Sequence, residues 1–416
     1  MAKSAHALFS ASGSYKWLAC AAALAMEQGR PDRDTAAAIQ GTMMHAVGEC
    51  CLLNRIAPLV PGVEGGTEAS FYVGSYPLAT QEDGEAGPQF TEELVAPVDA
   101  YVNRVWQSAT AHRRNLLFVE RRVRYSKAIS QPKSFGTADA IVLFWDKATK
   151  TYILEIHDFK GGVGFRVDAD NNPQLMLYAI GALEWLGKKY EISRVRLFIH
   201  QGRITEVCSE WDVSIDHLVK FAALAEDAAK NSRRCLGIPV KELKPADFGP
   251  SEKGCRWCKA QDDCKAHSKY ISNMSRGGFV KPKGSEPMLT PEDLAIIAKG
   301  LPEMKRWLVV MEERLIQTLS DGGDIPGQKL VIGRNGARVW KNEKRAARIL
   351  SRAGLEAKKV LLTPAQAEKA LKKQPGVWAK LQGLISQSDP SLAIVDRRDP
   401  RPKYGAALKS EFDDLS

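Results

Sequence analysis

Two aspartates and a lysine stand where metal-assisted attack on a phosphodiester would need them. Gly136-Thr-Ala-Asp139 opens one hydrophobic run, and the next run ends in Asp158-Phe-Lys160. Asp146-Lys-Ala-Thr-Lys150 between them reads as a turn, so the two runs are expected to pair as a hairpin. Adjacent strands lie about 4.8 Å apart, so both carboxylates can reach one ion. Carboxylates suit Mg²⁺ or Mn²⁺, which would neutralise a phosphate and activate water. Lys160 shares a face with Asp158 if the strand continues, and its ammonium can contact the scissile phosphate or the attacking water. Alone, D-x-K is a weak signal whose plainer reading is an ion pair at a strand end.

The cysteines suggest a second inorganic centre. Cys255-Arg-Trp-Cys258 and then Cys264 supply three thiolates from one compact loop, and Cys20 is the candidate for a fourth. Spacing leaves two options open. One is an iron–sulfur cluster; the other is Zn²⁺ held by four thiolates, or by three with His267 in place of Cys20. Cys50, Cys51, Cys208 and Cys235 read as small buried apolar residues.

Four motifs follow one another in a fixed order: Gly41-Thr-Met-Met-His45, Gly136-x-x-Asp139, Asp158-Phe-Lys160 and Gln174-x-x-x-Tyr178. Together they resemble the PD-(D/E)xK nuclease superfamily, in particular its RecB-like exonuclease branch, over roughly residues 10 to 268. That branch includes iron–sulfur nucleases of CRISPR adaptation and AddB-like nucleases; the chain is similar to its phage or prophage members. The resemblance implies a restriction-endonuclease-like α/β core, a central mixed sheet flanked by helices. It implies His45, Asp139 and Asp158 as ligands of Mg²⁺ or Mn²⁺, Lys160 at the nucleophilic water, and Gln174 and Tyr178 orienting DNA and the catalytic groups. Glu120, in the preceding strand, would assist. It implies a [4Fe–4S] cluster on Cys20, Cys255, Cys258 and Cys264, with Zn²⁺ as the alternative. Taken singly, His45 and Tyr178 would read as core residues.

The implied activity is a metal-dependent deoxyribonuclease, an exonuclease acting on DNA ends or single strands in phage recombination, replication or end processing. DNA is the expected partner, with other recombination proteins, and oligomers occur among related nucleases. Two rivals are a non-catalytic DNA-binding protein on a nuclease scaffold and a zinc-stapled interaction module. The sequence lacks a G-x-x-x-x-G-K-[ST] phosphate loop, so it carries no recognisable motor.

The elements that must position these residues are legible in outline. Ser12 to Gln28 and Ala36 to Asn54 read as helices, and residues 60 to 90 as a Gly-rich acidic loop or insertion. Thr91 to Ala111 reads as a helix; Leu117 to Tyr125, Gly136 to Trp145 and Thr151 to Asp158 read as strands. Pro173 opens a helix. Arg194 to His200 and Ile204 to Trp211 read as strands, and Ser214 to Ser232 as a helix. The expected organisation is a nuclease domain over 1–271 closed by the cysteines, a linker over 272–286, and a basic, mostly helical region over 287–416.

The chain has 416 residues, 44% of them hydrophobic, enough to bury a sizeable core. Without an apolar run of membrane-spanning length or a signal-peptide pattern, the expected location is the cytoplasm of a bacterial host cell. Net charge is +10 and the sequence pI about 9.1, which suits a polyanionic partner. Residues 276–416 hold 26 Lys and Arg against 17 Asp and Glu, a net of +9. Lys344, Arg345, Arg348 and Arg352 there form i, i+4 pairs that can follow a DNA backbone, or simply clothe a solvated helix.

Overall fold

Alternating apolar side chains build a five-stranded sheet with a helical layer on each face. The computed structural model describes residues 7–31, 36–56, 66–78, 87–112, 114–163, 165–205, 207–278, 291–332, 339–353, 362–386, 392–396 and 402–404. The chain divides into two compact units, Met1–Ile297 and Ala298–Ser416.

In the first unit the elements are α1 (Ser14–Ala19), α2 (Ala23–Glu27), α3 (Ala36–Ile56), α4 (Val95–Thr110), β1 (Asn115–Arg124), β2 (Phe135–Asp146) and β3 (Thr151–Phe159). Then come α5 (Pro173–Leu186), β4 (Ile192–His200), β5 (Ser209–Val213), α6 (Ile215–Leu236), α7 (Glu252–Arg256) and α8 (Lys265–Gly278). The strand order is β1-β2-β3-β4-β5, antiparallel throughout except for the parallel pair β3–β4. A parallel pair needs a crossover, and α5 supplies it. Pro173 sets its first turn, and the Asn172 side chain accepts from the Gln174 and Leu175 amides, capping the helix. The class is therefore mixed α/β, a mixed sheet flanked by helices.

Strand alternation divides the core. Leu154 and Ile156 of β3 join Leu175, Leu177 and Ala179 of α5 in one cluster. Ile153 and Phe159 join Met43, Met44 and Val47 of α3 and Val98, Val102 and Val105 of α4 in the other. Each fully buried Leu or Val contributes about 2 kcal/mol of transfer free energy, so the two layers clamp the polar end of the β2–β3 hairpin from both sides.

Some boundaries differ from expectation. The helix read over Ser12 to Gln28 is two short helices broken at Cys20, because the Ala22 amide donates to the Asp247 carbonyl instead of continuing the helix. The strand read from Ile204 starts at Ser209, since the Ile204 amide closes a turn on the Gln201 carbonyl. The 60–90 stretch contains a 3₁₀ turn, Ala69–Tyr72, anchored by the Ala69 amide on Asp99; residues 57–65 and 79–86 lie outside the described residues. Helix α8 continues to Gly278, into the stretch read as a linker, whose remainder lies outside the described residues. Cys51 and Cys235 are buried, but Cys50 is exposed and Cys208 half-buried.

Helix α9 (Pro291–Ser320) crosses the division between the units. The second unit adds β6 (Gln328–Ile332) paired with β9 (Leu392–Asp396), and β7 (Val339–Trp340) paired with β8 (Ile385–Ser386). Helices α10 (Glu343–Arg352), α11 (Pro364–Ala370) and α12 (Pro375–Gln382) share a small core of Ala346, Leu350, Ala367, Leu371 and Leu381. The two small sheets are an addition to the helical reading. Lys344, Arg345, Arg348 and Arg352 are exposed on α10. Among the described residues no helix is long and apolar enough to cross a membrane.

Candidate metal centre

Three carboxylates stand in one row across three neighbouring strands. The β1–β2 register is constant from Asn115↔Phe144 to Arg124↔Phe135, but the pairing skips the position where Glu120 would face Asp139. The β2–β3 ladder stops at Ala140↔His157, and the same register carried one step further sets Asp139 opposite Asp158. At this row Glu120 has φ +46, in the left-handed region that costs a non-glycine residue about 1–3 kcal/mol. Backbone groups that leave the ladder here make room for side chains to converge.

His45 reaches the row from α3, its Nδ1 3.5 Å from Asp139 Oδ2. One donor atom each of His45, Glu120 and Asp139 lies within 4.8 Å of the others. The same Asp139 oxygen accepts from the Phe159 amide at 2.6 Å. The structure thus groups Glu120 with His45 and Asp139. Asp158 is turned toward α5: Oδ2 lies 2.8 Å from Lys160 Nζ, and Oδ1 accepts from Gln174 Nε2 at 2.9 Å. Gln174 also accepts from Lys160 Nζ at 3.0 Å and donates to the Tyr178 hydroxyl at 2.9 Å. Lys160, Asp158, Gln174 and Tyr178 form one hydrogen-bonded chain beside the trio.

Charge and burial divide the carboxyls. Burial raises Asp139, but the charge and contact of His45, with Lys160 and the Phe159 amide, outweigh it and hold the group below its ordinary value. Burial keeps Asp158 above its ordinary value despite Lys160. Burial lowers Lys160, but Asp158 and Asp139 more than restore it. Burial also opposes charge on His45, yet Asp139 lifts it to about 9. Burial, then the Asp139 charge, pushes Glu120 up to about 8. Near neutral pH the trio therefore holds protons that a divalent cation would displace. One imidazole and two carboxylates are a fitting donor set for Mn²⁺ or Mg²⁺.

Glu49, one turn after His45, was not among the expected site residues. It lines a cleft of about 590 Å³ with Glu120, Arg122 and Tyr178, and its charge contributes to the raised Glu120. Its i, i+4 spacing from His45 was the available signal.

The cysteines converge on a second site in the first unit. Cys20 caps α1, Cys255 lies in α7, Cys258 follows in the next turn and Cys264 precedes α8. All four line one small pocket together with His267. Two glycines allow the approach. A Cβ on Gly249 would lie 1.9 Å from the Ala19 carbonyl oxygen, and one on Gly254 would lie 3.1 Å from that of Tyr15. Glu27 fastens the two segments, pairing with Lys16 at 2.8 Å and accepting from the Lys259 amide at 2.9 Å. Burial pushes the Cys258 thiol up to about 12 and raises Cys20 as well. A bound cationic centre reverses that preference and stabilises thiolates, so four converging thiols fit such a group.

Fold and site together define a mixed α/β protein with a histidine–carboxylate cluster on its sheet and a cysteine cluster that brings Cys20 beside Cys255, Cys258 and Cys264. The chain belongs to the family described as protein of unknown function (DUF2800), whose family model matches residues 6–402.

Proposed function

We propose that the chain is a Mg²⁺- or Mn²⁺-dependent deoxyribonuclease with a restriction-endonuclease-like, RecB-type core, working as an exonuclease on DNA ends or single strands in a phage-infected cytoplasm. The observation that carries this reading is the row Glu120–Asp139–Asp158 with His45 on one side and Lys160 on the other. In this reading His45, Glu120 and Asp139 would hold the ion. Once bound, the ion would neutralise the scissile phosphate and lower the pKa of an attacking water. Lys160 offers an ammonium to that water or to a phosphate oxygen. Gln174 fixes Lys160, Asp158 and Tyr178 in one arrangement, so that Lys160 need not be ordered when substrate arrives.

In this reading the four cysteines hold a [4Fe–4S] cluster. Zinc is favoured by one observation: His267 lines the cysteine pocket and its Nδ1 donates to the Gln261 carbonyl at 3.2 Å, the kind of contact that orients a metal-ligating imidazole. Iron and sulfide in anaerobically purified protein, with brown colour, would support the cluster; stoichiometric zinc in colourless protein would replace it.

Hydrolysis is tested with end-labelled single- and double-stranded DNA and Mn²⁺ or Mg²⁺. Wild type should cleave, while Asp139→Asn and Lys160→Ala should lose at least about a hundredfold in rate, the scale of a lost electrostatic stabiliser. Wild-type protein with an intact cysteine centre that binds DNA without cutting it would sink the enzyme in favour of a non-catalytic DNA-binding protein.

A further inference from the structure

One face of α5 runs out of the metal centre into a second cleft. Gln174, Tyr178, Gly181 and Trp185 are spaced three or four apart and form one stripe, with Lys188 just beyond the helix end. The latter half of that stripe is one wall of a cleft of about 750 Å³. The opposite wall is β1, an edge strand, which contributes Arg121, Arg122 and Arg124, and Lys127 follows from the next turn. Gly181 brings the walls together: a Cβ there would come within 3.0 Å of Val123 Cβ and 3.1 Å of the Arg124 carbonyl oxygen. The Arg121 guanidinium rests on the Trp185 ring at 4.4 Å, and that of Arg122 on Phe135 at 4.2 Å. Arg122 also lines the cleft that holds Glu120 and Tyr178, so the basic cleft opens beside the carboxylates.

We propose that this basic cleft is the track along which a single strand of nucleic acid runs to or from the metal centre; the inference rests on the nuclease reading above. Five cations on two walls, against the single carboxylate of Glu184, with an aromatic ring between them suit one phosphodiester backbone and its bases. A duplex would set two backbones against them, separated by a groove of about 6 or 12 Å. From Gln174 to Trp185 the helix advances about 16 Å, room for only a few nucleotides. Charge on an edge strand also guards against strand pairing. That accounts for the arginines of β1 but not for Lys188 and Trp185 on the facing wall.

The test is fluorescence anisotropy of labelled oligothymidylate with full-length protein, Ca²⁺ replacing Mn²⁺, across a salt series. Arg124→Glu/Lys188→Glu is compared with Lys147→Glu/Lys220→Glu, which makes the same change in net charge elsewhere. The cleft variant should bind at least tenfold more weakly, with the slope of log affinity against log salt reduced by about 1.4, while the control stays near wild type. Hydrolysis of bis(p-nitrophenyl) phosphate with Mn²⁺, which is too small to need the track, should be unchanged in the cleft variant. Equal weakening in both variants, or in neither, overturns the track even if the small ester is cleaved. Duplex bound more tightly than single strand overturns the single-strand assignment. Loss of binding in the cleft variant alone, with no ester hydrolysis by wild type, keeps the track and removes the nuclease reading.

Discussion

Glu120 combines two unfavourable features, a left-handed backbone and a partly buried carboxyl pushed up to about 8. Neither improves the fold, and both place an oxygen beside His45 and Asp139. Glycine tolerates φ +46 without a Cβ penalty, although it raises the entropy of the unfolded chain. Glu120→Gly should therefore leave the metal-stripped protein as stable as wild type or up to about 1 kcal/mol more stable, and should weaken Mn²⁺ binding at least tenfold. Urea unfolding in chelator and calorimetric Mn²⁺ titration read the two effects separately. A less stable variant with unchanged Mn²⁺ affinity would mean that Glu120 supports the strand and not the ion. At this scale much was legible: the pairing of Asp139 with Asp158 and Lys160 follows from the hairpin, while Gln174 and Tyr178 come only from the resemblance, since taken singly Tyr178 reads as a core residue. The grouping of Glu120 with His45 was not, because it depends on where the β1–β2 and β2–β3 ladders stop pairing, which no local pattern encodes.

Among the elements, α1 and α7 show how backbone contact can outrank side-chain chemistry. The cysteines are visible in the sequence, but the glycines that let their segments touch are not, since Gly249 and Gly254 look like ordinary loop and helix-start residues. Gly249→Ala would drive a Cβ into the Ala19 carbonyl, a backbone atom that cannot rotate aside. The expected cost is about 3 kcal/mol, at the upper end for overpacking, together with loss of bound metal in proportion to the cysteine centre's disruption. Thermal unfolding and metal analysis of the same preparation check it; full metal content at wild-type stability would show that the two segments approach in another way. The break in the helix expected over Ser12 to Gln28 has the same origin, a carbonyl supplied by Asp247 from more than two hundred residues away. The small strands β6 and β9 pair across some sixty residues of chain, and β7 and β8 are two residues each, too short for periodicity to reveal.

For the first unit as a whole, a buried polar chain crosses β3 and β4 on the face covered by α4. Arg196 donates to Glu155 at 2.6 Å, His157 Nε2 lies 3.3 Å from Glu155 Oε2, and His157 Nδ1 lies 3.0 Å from His200 Nε2. A carboxylate must accept, so His157 donates through Nε2, and its Nδ1 then accepts from His200 Nε2–H. That chain requires a neutral His157, whose Nδ1 must keep its lone pair for the His200 N–H. Burial, with His157 and Arg104 adding to it, holds His200 well below its ordinary value; burial also lowers His157, against the pull of Glu155. The folded values are depressed, so the stabilisation is present above the unfolded histidine value of about 6.5 and is lost as pH falls below it. Each ring contributes a slope of up to about 1.4 kcal/mol per pH unit until its folded value is reached. Carboxylates held low, such as Asp139 and Glu155, lose their contribution only in the more acidic range near 4 and below. His200→Gln keeps an N–H donor for His157 and removes one titrating group. Glu120, pushed up to about 8, gains stability over the same window, so the readout is the difference: from pH 7 to pH 5 the wild-type urea midpoint should move toward lower stability relative to the variant by about one proton's slope. Parallel pH profiles for the two proteins would mean that His200 does not carry the acid sensitivity of the fold.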